Sequence, residues 1–214
     1  MAVARPWGEQ LRLSVVIPIY NAGRFIAAAI DGVLADGHPA EIIVVDDGST
    51  DGGMALTAGY GDRIVRLSRP NGGIGAARNT GLAAATGDYV VFLDADDVYQ
   101  GRFLTSVAAF AAESGPDLVF SPSGSRRTSG VRLWNHGWPG KSRHDIALDI
   151  AAGRTVAVHA VAYRAEMLRA AGGFRHVFRE DTELLLRLLL VRAVVWLQRH
   201  GEGLRLRYPR ALVR

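Results

Sequence analysis

The sequence predicts an α/β fold in which a mostly parallel, doubly wound sheet is flanked by helices. Over the first 97 residues, short apolar runs alternate four times with helical segments, which is the order of strands and crossover helices in a parallel sheet. The apolar runs are continuous, as expected for strands that are buried on both faces. Polar clusters follow the first, second and fourth runs, at the edge where ligands bind in folds of this kind.

Each element of the first half has a local signal. Strands are predicted on runs rich in β-branched residues, at residues 11–19, 41–45, 63–67 and 89–93. Pro18 lies near the end of the first strand, where the loss of an N–H group is tolerated. Helices are predicted at residues 25–34, at a short segment before the third strand, and on the alanine-rich stretch after Gly73.

Beyond Gln100 the pattern changes, and a smaller subregion is predicted. Its helices are expected at residues 103–112, 145–152, 165–171 and 184–190. Its strands are expected at residues 117–121, 155–163 and 194–197. The polar, glycine-rich residues 122–143 are predicted to form a hairpin or a flexible loop.

Composition narrows the class of protein. The 214 residues suit one domain, and a hydrophobic content of 49% supports a sizeable core. The most apolar segment, residues 184–197, is interrupted by Arg187 and Arg192, which argues against a membrane span. The absence of cysteine excludes disulfides and thiolate metal sites, and the first residues lack the apolar core of a signal peptide, so a cytoplasmic protein is expected. The net charge of +4 comes without a basic block, so nucleic-acid binding is not predicted, whereas peripheral contact with an anionic membrane is left open.

Three aspartates follow the fourth predicted strand within four residues: Asp94, Asp96 and Asp97. Carboxylates this close repel one another unless a cation or basic groups compensate their charge. Hard divalent ions prefer oxygen ligands, and they also bind phosphate oxygens. The sequence therefore predicts a site for a divalent ion and a phosphorylated ligand at this end of the sheet.

Residues 73–78 contain the beginning of the dinucleotide-binding fingerprint G-x-G-x-x-G. The third glycine is replaced by Arg78, and the segment does not follow a first strand with a ribose-binding acid downstream. A Rossmann oxidoreductase is therefore disfavoured. The structural alternative is the capped N-terminus of a closely packed helix.

The acidic residues have structural interpretations as well. Asp47 and Ser49 could cap the helix that follows the second strand, or the Asp46-Asp47 pair could accept a hydrogen bond from a nucleobase or a ribose hydroxyl. The carboxylates after the fourth strand could cap the helix at residue 103, and Asp181 could cap the last helix. These alternatives stay open on the residues alone.

Taken together, the motifs resemble the family 2 glycosyltransferases of the GT-A fold. The segments that carry the resemblance occur in the family's order, at residues 14–21, 45–51, 71–79, 92–97, and 172–174 followed by 180–187. Any one of them is a weak signal, but their order and the 85 positions between Asp96 and Asp181 make the combination specific. The resemblance implies a GT-A-type, Rossmann-like sheet in one domain, residues 1–214. Residues 1–99 would bind the nucleotide sugar, and residues 100–214 would bind the acceptor and supply the catalytic base.

The resemblance also implies a role for each matching residue. Contacts with the nucleotide sugar would come from Pro18, Tyr20, Asn21, Asp46, Arg78, Asp94 and Asp96. Asp46 would bind the base, Asp94 would face the ribose or the diphosphate, and Asp96 would ligate Mn²⁺ or Mg²⁺ as part of the family's DxD motif. Asp181 would be the general base.

These roles imply an inverting transfer of a sugar from a nucleotide-diphosphate sugar, with a UDP-sugar favoured. The metal would neutralise the departing diphosphate as a Lewis acid, and the base would take the proton of the acceptor hydroxyl. The acceptor would be a glycan, a glycolipid or a small molecule. Attack opposite the leaving group inverts the anomeric centre without a covalent intermediate.

Some features depart from the family pattern. Arg175 and His176 stand where the family often has Asp-Glu, which is expected to alter the acceptor side. The Gln-x-x-Arg-Trp motif of processive members is absent, which favours transfer of one sugar at a time. About thirty residues follow Asp181, which indicates either a minimal catalytic domain or a missing C-terminal segment.

Several aromatic residues and histidines give weaker signals. Trp134 and Trp138 are expected to pack beneath a loop, with stacking on an acceptor sugar as the alternative. His200 could approach the metal or the diphosphate, as a late histidine does in some relatives. His159 lies in an apolar predicted strand and is expected to be a satisfied core residue.

Two other functions stay open. A nucleotidyltransferase on a related sheet would want a glycine-rich, GxGTR-like loop after the first strand, and residues 18–21 are not one. A degenerate module that binds a nucleotide sugar without turnover would be favoured if Asp181 did not reach the donor pocket.

Overall fold

The computed structural model of the chain describes residues 11–99, 101–121, 123–127, 130–135, 141–154, 156–190, 194–200 and 203–207. Ten strands are described: β1 Leu13–Ile19, β2 Ala40–Asp46, β3 Val65–Ser68, β4 Tyr89–Phe92, β5 Leu118–Phe120, β6 Ser123–Arg127, β7 Gly130–Asn135, β8 Val161–Arg164, β9 Val194–His200 and β10 Gly203–Arg207. Six α-helices accompany them: α1 Gly23–Leu34, α2 Ile74–Ala84, α3 Phe103–Ser114, α4 Arg143–Ala151, α5 Ala165–Ala170 and α6 Glu180–Leu189. Short 3₁₀ helices lie at Gly53–Arg63 and Val158–Ala160.

The main sheet has eight strands in the order β10-β9-β5-β8-β4-β1-β2-β3. The pairings among β1, β2, β3 and β4 are all parallel, as the alternation of strands and helices predicted. Strand β1 is buried over its whole length. Its apolar run predicted a strand that is covered on both faces, and β1 lies inside the sheet between β4 and β2. The predicted α/β fold with a mostly parallel sheet is confirmed.

The second half of the sheet departs from the simple parallel pattern. Strand β8 is inserted antiparallel between β4 and β5, while β5 pairs with β9 in parallel. The strand predicted over residues 155–163 is wrong in its first part, because Val158–Ala160 forms a 3₁₀ turn closed by Ala160 N–H donating to the carbonyl of Ala157. Of the two alternatives for residues 122–143, the hairpin is present as the separate two-stranded sheet of β6 and β7.

The core has two layers, one on each face of the sheet. Along β1, Val16 contributes to one cluster, and its neighbours Val15 and Ile17 contribute to the other. Helices α2, α4, α5 and α6 pack on the Val16 side, and helices α1 and α3 pack on the opposite side. The sheet and the helices on its two faces form three layers. The loops at the ends of the parallel strands are attached to this support. None of the helices in the described part of the chain is long and apolar enough to cross a membrane.

Replacing Gly81 by alanine is expected to lower the free energy of unfolding by about 1–3 kcal/mol because of overpacking. A Cβ atom at this position of α2 would lie 2.3 Å from Cγ1 of Val16 in β1. Alanine is the better helix former by about 1 kcal/mol, so the steric contact decides the sign of the change. Chemical denaturation measures the effect. Gly59→Ala is the matched control, since a Cβ atom at Gly59 meets nothing within 4 Å. Equal stability of Gly81→Ala and wild type would contradict the close packing of α2 on β1.

Candidate functional site

The loops that follow β1 and β2 are joined by hydrogen bonds at the end of the sheet. The backbone N–H of Asn21 donates to the Ser49 hydroxyl at 3.0 Å, and the N–H of Thr50 donates to Oδ1 of Asn21 at 2.8 Å. Asn21 adopts a left-handed backbone conformation with φ of 50°. Tyr20 is 54% exposed beside it, whereas Pro18 is buried within β1. Of the three residues predicted to border a nucleotide, Tyr20 and Asn21 thus lie on the surface.

The two aspartates that follow β2 have different surroundings. Asp46 is half-buried, and its Oδ1 accepts a hydrogen bond from the backbone of Ser49 at 2.9 Å. Asp47 is only 2% exposed, and it accepts hydrogen bonds from the N–H groups of Gly72 and Gly73, the latter at 2.7 Å. Nε of Arg69 lies 3.4 Å from its Oδ1. Asp47 therefore holds the loop before α2, and Asp46 is the more accessible of the two carboxylates.

The structural alternative in which Asp47 and Ser49 cap the next helix is wrong. The segment that begins at Gly53 is held by Asp51, which accepts hydrogen bonds from Gly53 N–H at 2.8 Å and from Gly23 N–H at 2.9 Å. These two hydrogen bonds lower the pKa of Asp51. Asp47 instead lies at the N-terminus of α2, where a carboxylate complements the helix dipole. Its hydrogen bonds reach the loop residue Gly72 and Gly73 at the helix start, and the predicted cap of the first turn stays a prediction.

The three aspartates that follow β4 lie on a tight turn, in which Asp97 N–H donates to the Asp94 carbonyl at 2.9 Å. Asp94 and Asp97 are half-buried, and Asp96 is exposed. They do not cap α3, because the buried Asp36 accepts hydrogen bonds from Leu104 N–H at 2.7 Å and Thr105 N–H at 2.9 Å. The carboxylates after β4 are therefore free of that structural role.

A histidine that sequence analysis assigned to the core belongs to this group. His159 lies on the 3₁₀ turn before β8, and its Nδ1 is 2.7 Å from Oδ2 of Asp97. Because β8 runs antiparallel to β4, the residues that precede β8 lie beside those that follow β4. One ligand atom from each of Asp94, Asp97 and His159 lies within 4.8 Å of the others, a spacing that a metal ion could bridge. We call these residues the Asp94–Asp97–His159 group.

The pKa of His159 reflects the carboxylates around it. Burial of the imidazole lowers this pKa, but the close contact with Asp97 and the charges of Asp97 and Asp94 outweigh burial. The result is a pKa above the usual value for histidine. The carboxylates of Asp94 and Asp97 therefore favour a positive charge beside them.

Arg78 is buried beneath these residues, with 3% of its surface exposed. Its Nη2 donates to Oδ1 of Asp94 at 2.7 Å, and its Nη1 donates to Oε1 of Glu180 at 2.7 Å. Arg78 thus contacts the predicted donor-side residue Asp94, and its own predicted contact with the nucleotide stays a prediction. Glu180 was missed as a partner, since 102 positions separate it from Arg78.

Asp181 lies in the first turn of α6, next to Glu180. It is half-buried, and its Oδ1 accepts a hydrogen bond from Thr182 N–H at 2.6 Å. It directly follows Glu180, whose carboxylate is joined to Asp94 through Arg78. Asp181 is therefore brought to the same end of the sheet as Asp94. The predictions for the side chains of Trp134, Trp138 and His200 fall outside the described part of the chain.

The comparisons with known proteins agree with this architecture. The model of the family described as glycosyl transferase family 2 matches residues 14–171, a stretch that includes every predicted donor-side residue and ends before Asp181. An uncharacterized glycosyltransferase of Nostoc sp., alr2836, is 45% identical over 102 residues, which is 45% of this chain and 32% of that protein. The matched stretch is thus about a third of that relative's length.

Solved structures resemble the fold over most of the chain. Staphylococcus aureus TarS 1-349 superposes with a TM-score of 0.75 at 24% identity, covering 89% of this chain and 59% of that one, and it has also been solved in complex with UDP-GlcNAc. The mannosyltransferase PcManGT from Pyrobaculum calidifontis, in complex with GDP-Man and Mn²⁺, has a TM-score of 0.64 at 22% identity, covering 89% of this chain and 57% of that one. These likenesses confirm the predicted GT-A-type fold. The match of the family model to residues 14–171, which is most of the chain, establishes that this chain belongs to glycosyl transferase family 2.

Proposed function

We propose that the chain transfers a sugar from a nucleotide-diphosphate sugar to a hydroxyl acceptor, with inversion at the anomeric carbon. The observation that carries the proposal is the buried Arg78, which connects Asp94 after β4 to the helix that bears Asp181. A donor held at Asp94 would therefore lie near a carboxylate that can accept the proton of an incoming hydroxyl. One domain over residues 1–214 would serve both halves of the reaction.

The residues present suit a divalent ion such as Mn²⁺ or Mg²⁺. Two carboxylates and an imidazole approach one another in the Asp94–Asp97–His159 group. Hard divalent ions prefer oxygen ligands, which the two carboxylates supply. Asp96 is exposed on the same turn, and its predicted role as a metal ligand stays part of the proposal. When bound, the ion would neutralise charge on the diphosphate as a Lewis acid.

The other residues have roles in binding and proton transfer. Asp46 and the exposed Tyr20 and Asn21 would bind the nucleoside at the ends of β1 and β2. Asp94 would face the ribose or the diphosphate. Asp181 would remove the proton from the acceptor hydroxyl as the C–O bond to the sugar forms and the bond to the diphosphate breaks. The electron pair of the broken bond leaves with the diphosphate, and the proton stays on Asp181 until it is released to water.

A UDP-sugar is the favoured donor. One structural neighbour was solved with UDP-GlcNAc, and another with GDP-Man and Mn²⁺, which supports a nucleotide sugar without deciding between the two bases. The acceptor would be a glycan, a glycolipid or a small molecule. A module that binds the donor without turnover is the second candidate, and it would be favoured if Asp181 did not reach the donor pocket.

Calorimetric titration with UDP, GDP and dTDP, each with and without Mn²⁺, tests the donor site. One of the three nucleotides is expected to bind, and its binding is expected to require Mn²⁺. Asp97→Asn and His159→Gln should each weaken this affinity by about tenfold or more, as loss of a metal ligand or its partner commonly does. Asp96→Asn tests the predicted DxD ligand in the same way.

Asp62→Asn is the control, because Asp62 is an exposed acid outside the proposed site. Absence of binding by all three nucleotides would contradict the proposed function. Equal nucleotide affinity with and without Mn²⁺ would contradict the proposed metal site but not the nucleotide site. Once a nucleotide is identified, its release from the matching sugar donor separates an enzyme from a binding module.

A further inference from the structure

Arg78 is an unusual residue for the interior of this fold. It lies on α2 among apolar side chains, and its guanidinium is 5.3 Å from the centre of the Phe174 ring. Charged residues are rarely buried to this degree unless they are paired. The Nε atom of Arg78 is buried without a partner, so the two ion pairs of the side chain carry its compensation.

The two ion pairs lead to different parts of the proposed site. Nη2 is 2.7 Å from Asp94, which follows β4, and Nη1 is 2.7 Å from Glu180, which begins α6. A planar guanidinium can donate from two terminal nitrogens at a fixed spacing, whereas a lysine ammonium is a single point of charge. Arg78 therefore joins two acids that lie 86 positions apart in the sequence.

Burial determines which role Arg78 can have. With 3% of its surface exposed, the side chain offers little area to a nucleotide. Its charge instead acts on Asp94, which is 31% exposed, and on Glu180, which is 19% exposed. Glu180 directly precedes Asp181, so any movement of Glu180 also moves the carboxylate proposed as the base.

We propose that Arg78 is a positioning residue that sets the base-bearing start of α6 relative to the donor carboxylate Asp94 through its paired contacts with Asp94 and Glu180. The proposal rests on the proposed function, which gives Asp94 and Asp181 their roles. It assigns Glu180 a part in the reaction without contact with substrate. The proposal also predicts that a substitution at Glu180 alters the backbone around Asp94, because Arg78 contacts both acids.

The test uses the full chain with three variants, Arg78→Lys, Glu180→Gln and Glu183→Gln. Glu183→Gln is the matched control, because it makes the same chemical change on the same helix but breaks a different pair, with Arg187 at 2.9 Å and Arg175 at 3.2 Å. The first readout is hydrogen exchange of the backbone amides in residues 93–99 without any ligand. We expect exchange there to be about fivefold faster in Arg78→Lys and Glu180→Gln and unchanged in Glu183→Gln.

The second readout separates donor binding from turnover. Affinity is measured by calorimetry with Mn²⁺, and turnover is measured as release of the nucleotide diphosphate from its sugar donor. Glu180→Gln should keep nucleotide affinity within about twofold and lose turnover by about tenfold or more, because misplacement of a reacting group mainly affects the chemical step. Arg78→Lys should lower both, since it removes the guanidinium that bonds Asp94 directly, whereas Glu180→Gln keeps that ion pair and only loosens the segment around it.

Two results would overturn the positioning role. One is a Glu180→Gln variant with wild-type amide exchange in residues 93–99. The other is an equal loss of turnover in Glu183→Gln, which would indicate general damage to α6. A wild-type chain that binds no nucleotide would instead contradict the proposed function, and the exchange measurement, which needs no ligand, would still decide whether Arg78 connects the two acids.

Discussion

Asp181→Asn is expected to reduce sugar transfer by about 10³-fold, within the range that loss of a general base commonly causes. Asparagine has nearly the same shape as aspartate but cannot accept a proton from the acceptor hydroxyl. Donor binding should change little, because Asp181 lies on α6 and the proposed nucleotide contacts lie on the loops after β1, β2 and β4. The measurement is the rate of nucleotide diphosphate release at saturating donor.

The effect of Asp181→Asn on the stability of the fold is expected to be small, and it can be measured separately from turnover. An acid in the first turn of a helix stabilises that helix by about 0.3–1 kcal/mol, so Asp181→Asn should lower thermal stability only slightly. Glu183→Gln removes another acid from the same turn and serves as the control for this effect. If Asp181→Asn retained more than a tenth of wild-type turnover while Glu183→Gln behaved like wild type, Asp181 would not be the base.

The first half of the fold could be predicted because its signals are local. A continuous apolar run such as residues 15–17 indicates a strand buried on both faces, and the acids directly after the strands indicate a site at their ends. The second half was predicted less well. The antiparallel insertion of β8 between β4 and β5 depends on pairing between segments about 70 residues apart, and no local pattern encodes that choice.

Residues with distant partners were the ones that sequence analysis missed or misplaced. His159 was assigned to the core because its neighbours are apolar, yet the pairing of β8 with β4 brings it to Asp97. Asp36 had no assigned role, although it caps a helix 68 positions away. Glu180 was noted only as part of a motif, and its contact with Arg78 crosses the site. Such polar contacts depend on tertiary geometry, which local periodicity does not report.

Asp47→Ala is expected to lower the free energy of unfolding by about 3 kcal/mol, because it removes two hydrogen bonds to a charged acceptor, each contributing about 1.5–3 kcal/mol. The substitution removes the buried carboxylate that accepts from the N–H groups of Gly72 and Gly73 in partly buried hydrogen bonds. It also leaves Arg69 without its carboxylate, although a guanidinium that is 25% exposed can still reach water. Urea denaturation gives the change in free energy.

The neighbouring Asp46 provides the control, because the two aspartates are chemically identical and differ in their surroundings. Asp46→Ala removes one acceptor from a half-buried turn and should cost about 1 kcal/mol of stability. It should weaken nucleotide binding if Asp46 contacts the base, whereas folded Asp47→Ala should lose affinity only as far as the start of α2 shifts. An Asp47→Ala variant within 1 kcal/mol of wild type would contradict the assigned role of Asp47. That outcome would also reopen the choice of nucleotide ligand between the two aspartates, because burial and hydrogen bonding are the properties that separate them.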